Sequence, residues 1–188
     1  SNKSYAFAIA SDISGSMFCT SEKIDPASYA LTSMLMVGEA LRIANVPRAM
    51  IIFGKNALTI EKIGKKQIRW ETLTNTKNIE IANQADTKIE KAMKKCKEEL
   101  NKIRAERKII IILTDGNSEK YALMKEYEQI KKQNIEYLGI TIGNEGGILE
   151  QILGKEKNIN IESKHTSLIG NAFIKIMKES IKKSLWKT

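Results

Sequence analysis

Five side chains in this sequence carry oxygen donors in a pattern that suits a divalent cation. Asp12, Ser14 and Ser16 alternate along one short polar segment and supply one carboxylate and two hydroxyls. Thr87 offers a third hydroxyl, and Asp115 offers a second carboxylate. A donor set of hard oxygens without His or Cys favours Mg²⁺, with Mn²⁺ or Ca²⁺ as alternatives, over zinc or copper.

The number of carboxylates indicates what such a cation could do. Two carboxylates neutralise a divalent ion formally, but a metal that they hold through water stays electrophilic, and an incoming Asp or Glu could complete its shell. Gly15 and Gly116 lie beside the donors, and we expect them to permit backbone conformations that gather the donors around the ion. The alternative is two ordinary turns, one of Asx type at Asp12 and one ending a strand at Asp115.

The hydrophobic pattern predicts the elements that would position these donors. Short apolar runs alternate with longer stretches in which apolar residues recur every three or four positions, which is typical of strands alternating with helices. Strands are predicted over residues 5–10, 49–53, 109–113, 135–142 and 159–161, with an edge strand or hairpin over 58–63 and 68–72. Helices are predicted over residues 26–44, 87–106, 119–133, 148–153 and 168–183.

This alternation predicts an α/β fold, in which a doubly wound, mostly parallel central sheet is covered by helices on both faces. With 188 residues, one domain is expected over 3–188, excised from a longer protein, with residues 1–2 a cloning remnant. In such folds the binding site lies beyond the carboxyl ends of the strands, where the strand order reverses. Asp12 and Asp115 follow two predicted strands, so we expect them to meet at that edge.

The three motifs together resemble the metal-ion-dependent adhesion site of von Willebrand factor A domains. The resemblance rests on Asp-x-Ser-x-Ser from Asp12 to Ser16, on Thr87 at a helix start, and on Asp115-Gly116. It implies a Rossmann-like fold in which Ser14, Ser16 and Thr87 donate hydroxyls. Asp12 and Asp115 would hold the metal directly or through water. Many members have Gly-Gly-Thr or Gly-x-Thr before the helix, whereas this chain has Asp86 before Thr87, as a helix cap or an added acidic neighbour.

The resemblance also implies a function without catalysis. Such a domain binds an acidic residue of a protein partner through its metal. Met17 and Phe18 are candidates for an apolar rim beside it, with a place in the core as the alternative for Met17. Intracellular members often work beside AAA+ ATPases in multiprotein complexes. In members of the adhesive type, metal rearrangement is coupled to movement of the last helix, here 168–183.

The composition indicates which partners and which cellular compartment to expect for this chain. The net charge of +9 invites nucleic-acid binding, but the lysines of residues 88–108 and 175–187 alternate with glutamates or face apolar positions, which is typical of a solvated helix face. Nucleic acid is therefore an unlikely partner. No run approaches the roughly 18 apolar residues of a membrane span. Two cysteines, Cys19 and Cys96, favour a reducing, cytoplasmic setting, with one disulfide as the alternative.

Two enzyme classes were weighed against this interpretation. A haloacid-dehalogenase-like phosphotransferase would use Asp12 as nucleophile, but Ser14 occupies the position of its acid and base. A nucleotide-binding enzyme lacks support, because neither GxxxxGK[ST] nor GxGxxG follows the first strand. The lone histidine, His165, is predicted to lie on the surface. A basic nucleic-acid-binding module of the same fold remains the second alternative.

Overall fold

A twisted central sheet with helices on both sides makes up the domain. The computed structural model describes residues 4–18, 25–64, 86–116, 118–143 and 147–185, with side chains to residue 180. In this part of the chain the strands are β1 (Tyr5–Asp12), β2 (Arg48–Phe53), β3 (Ala57–Glu61), β4 (Arg107–Thr114), β5 (Ile135–Ile142) and β6 (Asn158–Ile161). They lie in the order β3-β2-β1-β4-β5-β6. Only β3 runs antiparallel to its neighbour, so the predicted α/β fold is confirmed.

The helices connect these strands in the expected sequence. They are α1 (Pro26–Ile43), α2 (Ile89–Leu100), α3 (Lys120–Lys132), α4 (Ile148–Leu153) and α5 (Ile169–Leu185), with 3-10 turns at Gly15–Phe18, Lys155–Lys157 and Ser163–Leu168. From β1 the chain builds outward to β2 and β3, and it then returns to place β4 on the other side of β1. The strand order therefore reverses between β1 and β4. That crevice is where a parallel α/β sheet binds its ligands.

Side chains alternate along β1, so that large apolar residues lie on one face of the sheet and alanines lie on the other. Phe7 and Ile9 face one layer, where they pack with residues of α1 and α5. Ala6, Ala8 and Ala10 face the other layer, where they pack with α2, α3 and α4. All five side chains are buried. Because alanine is small, the helices on the second face contact the sheet closely along this strand.

Helix boundaries match the prediction for α1 and differ for α2. Asp25 caps α1, because its Oδ1 accepts the Ser28 amide at 2.7 Å, and Pro26 occupies the first turn. The prediction that α2 spans 87–106 is wrong at both ends. Thr87 does not open the helix but lies two residues before it, since Lys88 is the N-cap residue and Ile89 the first helical residue.

The chain leaves α2 early because it must begin β4. After Leu100 the chain forms a turn over residues 101–103, and the Glu106 amide then donates to Ser4 Oγ while the Arg107 amide donates to the Ser4 carbonyl. These bonds to the segment before β1 replace the hydrogen bonds that a longer helix would make. The edge strand β3 overlaps the predicted 58–63 segment and begins one residue before it. The predicted segment over 68–72 lies outside the described residues.

Lysine and glutamate side chains pair on the outer faces of the helices. Exposed ion pairs join Lys95 to Glu98 on α2 and Lys131 to Glu128 on α3. Exposed pairs of this kind contribute little to stability, but they reduce the free positive charge of these faces. None of the described helices is long and apolar enough to cross a membrane.

The capping assignment predicts different effects for two aspartates near helix starts. Asp25→Ala removes both bonds to Ser28 and should lower the free energy of unfolding by about 1 kcal/mol. Asp86→Ala removes an exposed ion pair with Lys88 and should change it by less than about 0.5 kcal/mol. Urea denaturation of both variants measures the difference. An equal loss in both would show that Asp86 caps α2 after all.

Candidate metal centre

Asp12 is the last residue of β1 and lies at the crevice between β1 and β4. Its side chain is fully buried. Ser11 lies opposite Leu113 in the sheet, so Asp12 reaches Thr114, the last residue of β4. Asp12 Oδ1 accepts the Ser14 amide at 2.7 Å, and Oδ2 accepts the Thr114 hydroxyl. Thr114 Oγ1 in turn accepts the Gly116 amide at 3.0 Å, so one hydroxyl ties β1 to the loop after β4.

Three further side chains continue from this anchor towards the surface. Ser14 Oγ lies 3.2 Å from Ser16 Oγ, and Ser16 Oγ donates to Asp115 Oδ1 at 3.0 Å. Ser16 belongs to the 3-10 turn that directly follows Ser14. Met17 holds this turn in place, since the Met17 amide donates to the Ser14 carbonyl and its side chain is fully buried. The Asx-type turn at Asp12 is therefore present, and it forms part of a larger convergence.

Thr87 approaches the same point from the segment before α2. The amide of the next residue, Lys88, donates to the Gly54 carbonyl at 2.9 Å, which fixes this segment to the end of β2. A Cβ atom added to Gly116 would lie 3.1 Å from both Oγ1 and Cγ2 of Thr87. The side chain of Thr87 thus packs against the backbone directly after Asp115. All five predicted residues lie at one edge of the sheet.

The reason for the glycines differs from the prediction. Neither Gly15 nor Gly116 adopts a positive φ, so backbone freedom is not what these positions require. Gly116 is needed for space, because a side chain there would displace Thr87. Nothing lies within 4 Å of the position that a Cβ of Gly15 would occupy, and the structure shows no steric reason for a glycine there.

Burial raises the pKa of both carboxyl groups, and repulsion adds to the shift at Asp12. Burial raises the pKa of Asp12 to about 6, and the charge of nearby Asp115 adds to this, while hydrogen bonds from Thr114 and Ser14 oppose it. Burial also raises the pKa of Asp115, against the effect of its hydrogen bond from Ser16. Two carboxyl groups held close together without a compensating positive charge are a good environment for a bound cation.

The donor set is also selective in its chemistry. Among the described residues, no cluster of three or more His, Cys, Asp and Glu side chains could hold a metal. A cation here must therefore use hydroxyl oxygens together with the two carboxylates. Each oxygen of Asp12 keeps a further lone pair beyond the hydrogen bond that it accepts. The residues present fit a hard divalent ion.

Several residues near the site were missed or placed wrongly by sequence reasoning. Thr114 directly precedes Asp115, but the sequence alone assigns it no role. Met17 is part of the core, which is the alternative to a place at the rim. Phe18 does reach the surface, with 38% of its area exposed. Asp86 pairs with Lys88 at 3.1 Å and does not cap α2.

The raised pKa of Asp12 predicts a pH-dependent cost of folding without metal. The fold favours protonated Asp12, so this stabilisation is complete below the ordinary pKa of 3.8 and is lost as the pH rises through about 6. Asp12→Asn cannot ionise and should be about 2 kcal/mol more stable than the wild type at pH 7.5 in EDTA. Guanidinium denaturation at pH 4 should show almost no difference. A variant less stable than the wild type at pH 7.5 would contradict the assignment.

Solved structures with the same fold have diverged far in sequence. The SpRpn10 VWA domain matches with a TM-score of 0.66 at 13% identity, over 89% of this chain and 94% of that chain. The pilus adhesin SpaC from Lactobacillus rhamnosus GG matches with a TM-score of 0.72 at 13% identity, over 96% of this chain and 31% of that chain. Proximal thread matrix protein 1 from the mussel byssus, with a zinc-occupied MIDAS motif, has a TM-score of 0.61 at 16% identity, over 90% and 44%.

The low sequence identities to these solved structures establish only the fold, and the family is assigned by comparison with sequence models of protein families. No curated protein sequence matches the chain. The family model for the von Willebrand factor type A domain matches residues 8–173, a span that includes Asp12, Thr87 and Asp115. This fold is known for metal-dependent protein interactions, and its domains generally act as interaction modules. The chain belongs to the von Willebrand factor type A domain family.

Proposed function

We propose that this domain binds one divalent cation through Asp12, Ser14, Ser16, Thr87 and Asp115, and that the cation holds an acidic residue of a protein partner. One observation carries the proposal. A continuous series of short polar contacts runs from the buried Asp12 through Ser14 and Ser16 to Asp115 at the crevice between β1 and β4. Thr87 packs beside the last of these residues.

The chain's own residues would divide the work of binding. Ser14, Ser16 and Thr87 supply neutral oxygens, so they would bind a cation without cancelling its charge. Asp12 supplies buried negative charge from beneath, in an orientation that Thr114 fixes. The bound ion would supply a Lewis-acidic position that a partner carboxylate can occupy in place of water. We propose Mg²⁺ as the resident ion, with Mn²⁺ or Ca²⁺ as alternatives, and we note that zinc occupies the site of the mussel relative.

The geometry gives less support to a phosphotransferase. An aspartyl nucleophile must reach a phosphoryl group, but both oxygens of Asp12 accept hydrogen bonds within the protein and its side chain is fully buried. Ser14 carries no acid or base at the position where that mechanism needs one. We therefore propose that the domain is not an enzyme.

Two exposed aromatic side chains indicate which partner residues would accompany the carboxylate. Phe18 ends the 3-10 turn that contains Ser16, and Tyr121 lies in the first turn of α3, shortly after Asp115. Tyr121 has 76% of its area exposed. Aromatic side chains are enriched in interface centres. We propose that the partner presents an Asp or Glu next to an apolar residue that contacts this rim.

The setting of the interaction is also a proposal. The fully buried thiol of Cys96 and the low cysteine content are compatible with a reducing compartment. We propose a cytoplasmic multiprotein complex, in which the acidic partner belongs to an assembly with an AAA+ ATPase. Purification of the full-length protein from its own cells, in Mg²⁺ and then in EDTA, tests this. An ATPase that stays bound to the immobilised protein in Mg²⁺ and elutes with EDTA would support the proposal, and an EDTA eluate without an ATPase would contradict it.

The metal site predicts saturable binding that depends on named hydroxyls and carboxylates. Calorimetric titration of the EDTA-treated domain with Mg²⁺ or Mn²⁺ should show one site per chain. Ser14→Ala should lower the affinity at least about tenfold, and Asp12→Ala should abolish binding, because each removes a proposed ligand. Ser28→Ala removes a hydroxyl from the start of α1 and serves as the control. If the control and Ser14→Ala bound alike, Ser14 would not be a ligand.

The partner site predicts a requirement for both metal and a carboxylate. Peptides selected from a random library on the Mg²⁺-loaded domain should contain Asp or Glu and should dissociate in EDTA. Replacing that residue by Asn or Gln should abolish binding, and Phe18→Ala should weaken it about fivefold while leaving metal affinity unchanged. Peptides that bind equally well in EDTA, or after the amide replacement, would contradict the proposal.

A further inference from the structure

Helix α2 begins without a cap of its own. Lys88 occupies its N-cap position and makes no side-chain hydrogen bond to the first turn. The first amide of the helix, that of Ile89, instead donates to Ser118 Oγ at 3.2 Å. Ser118 lies after β4, in the loop that begins with Asp115. A cap for the helix that follows Thr87 is therefore supplied by the loop that carries the second carboxylate.

The hydroxyl of Ser118 acts both as a hydrogen-bond acceptor and as a hydrogen-bond donor. While its oxygen accepts from Ile89, its hydrogen is donated to Glu90 Oε2. Both partners belong to the first turn of α2, and Ser118 is itself half-buried. The single hydroxyl hydrogen can be given to one acceptor only, so the two contacts fix its orientation.

The contacts of Ser118 with α2 join the segment that carries Thr87 to the segment that carries Asp115. We call these two segments and the contacts between them the frame of the proposed ligands. Thr87 lies two residues before Ile89, and Asp115 lies three residues before Ser118. The packing of Thr87 against Gly116 joins the same two segments nearer to the crevice. Two contacts therefore set the separation between the hydroxyl of Thr87 and the carboxylate of Asp115. One is the packing of Thr87 against Gly116, and the other is the side chain of Ser118, which can be removed by mutation.

We propose that Ser118 is a positioning residue of the metal centre, which holds the segment of Thr87 against the segment of Asp115 and thereby favours Mg²⁺ over Ca²⁺. The proposal rests on the function proposed above and adds a residue outside the ligand set. Mg²⁺ demands near-octahedral geometry at short distances, whereas Ca²⁺ accepts six to eight oxygens with flexible geometry. A looser frame should therefore weaken Mg²⁺ binding more than Ca²⁺ binding.

The test compares two variants of Ser118 with a control at the opposite edge of the sheet. Ser118→Ala removes the hydroxyl, and Ser118→Thr keeps it. Ser4→Ala is the matched control, because Ser4 Oγ also accepts a single backbone amide, that of Glu106 at 3.1 Å. Calorimetry gives the dissociation constants for Mg²⁺ and Ca²⁺. Amide hydrogen exchange of the metal-free proteins reports separately on the segments of Thr87 and Asp115.

Ser118→Ala should weaken Mg²⁺ binding about tenfold and Ca²⁺ binding less than about threefold, as expected for a residue that orients metal ligands. Ser118→Thr and Ser4→Ala should bind both ions within about twofold of the wild type. Exchange should accelerate in both segments of Ser118→Ala. An unchanged ratio of the two affinities, or faster exchange in one segment only, would overturn the proposal for Ser118.

The outcomes also distinguish a failure of the role of Ser118 from a failure of the proposed metal-dependent function. A wild-type domain that binds neither ion would overturn the metal-dependent function, and the role of Ser118 would fall with it. A wild type that binds normally beside a Ser118→Ala variant with unaltered ion preference would overturn only the role of Ser118. The exchange measurement needs no metal, so it checks the frame in either case.

Discussion

The structure of this edge depends on one buried carboxylate at the end of the central strand. Asp12 stands where the chain has neighbours on both sides, and its contacts with Ser14 and Thr114 connect the first loop to the loop after β4. Burying an acid is unfavourable for the metal-free protein, and the fold tolerates it because hydrogen bonds reach both oxygens. The metal-free domain is thus strained electrostatically at this edge of the sheet, and a cation bound there would relieve that strain.

The sheet topology explains why these particular segments meet. Because β1 lies between β2 and β4, residues that follow it can contact the ends of two strands that are far apart in the sequence. The bond from the Ile13 amide to the Phe53 carbonyl and the bond from Thr114 to Asp12 show this on either side. The donors come from separate segments, but the sheet beneath them is continuous and closely packed.

Much of this could be predicted from the sequence, for physical reasons that also mark the limits. Strands buried on both faces, such as Ile109–Leu113, are recognisable because their apolar runs have no polar face, and motifs at strand ends fall on one edge by geometry. The beginning of α2 was missed because its cap, Ser118, is remote in the sequence. The sequence leaves both the rim and the core open for Met17, because a local pattern cannot distinguish a residue beneath a loop from one above it. The need for Gly116 came from a contact with Thr87 that only tertiary structure reveals.

The alanines of β1 have a consequence for how such a domain could diversify. Ala6, Ala8 and Ala10 act as a spacer of minimum thickness between the sheet and α2, the helix whose leading segment carries Thr87. The depth at which that hydroxyl sits is therefore set by the volume of interior side chains that no ligand ever touches. Substitutions that add or remove a methyl group at these core positions could shift Thr87 relative to the crevice, while every surface residue stayed the same.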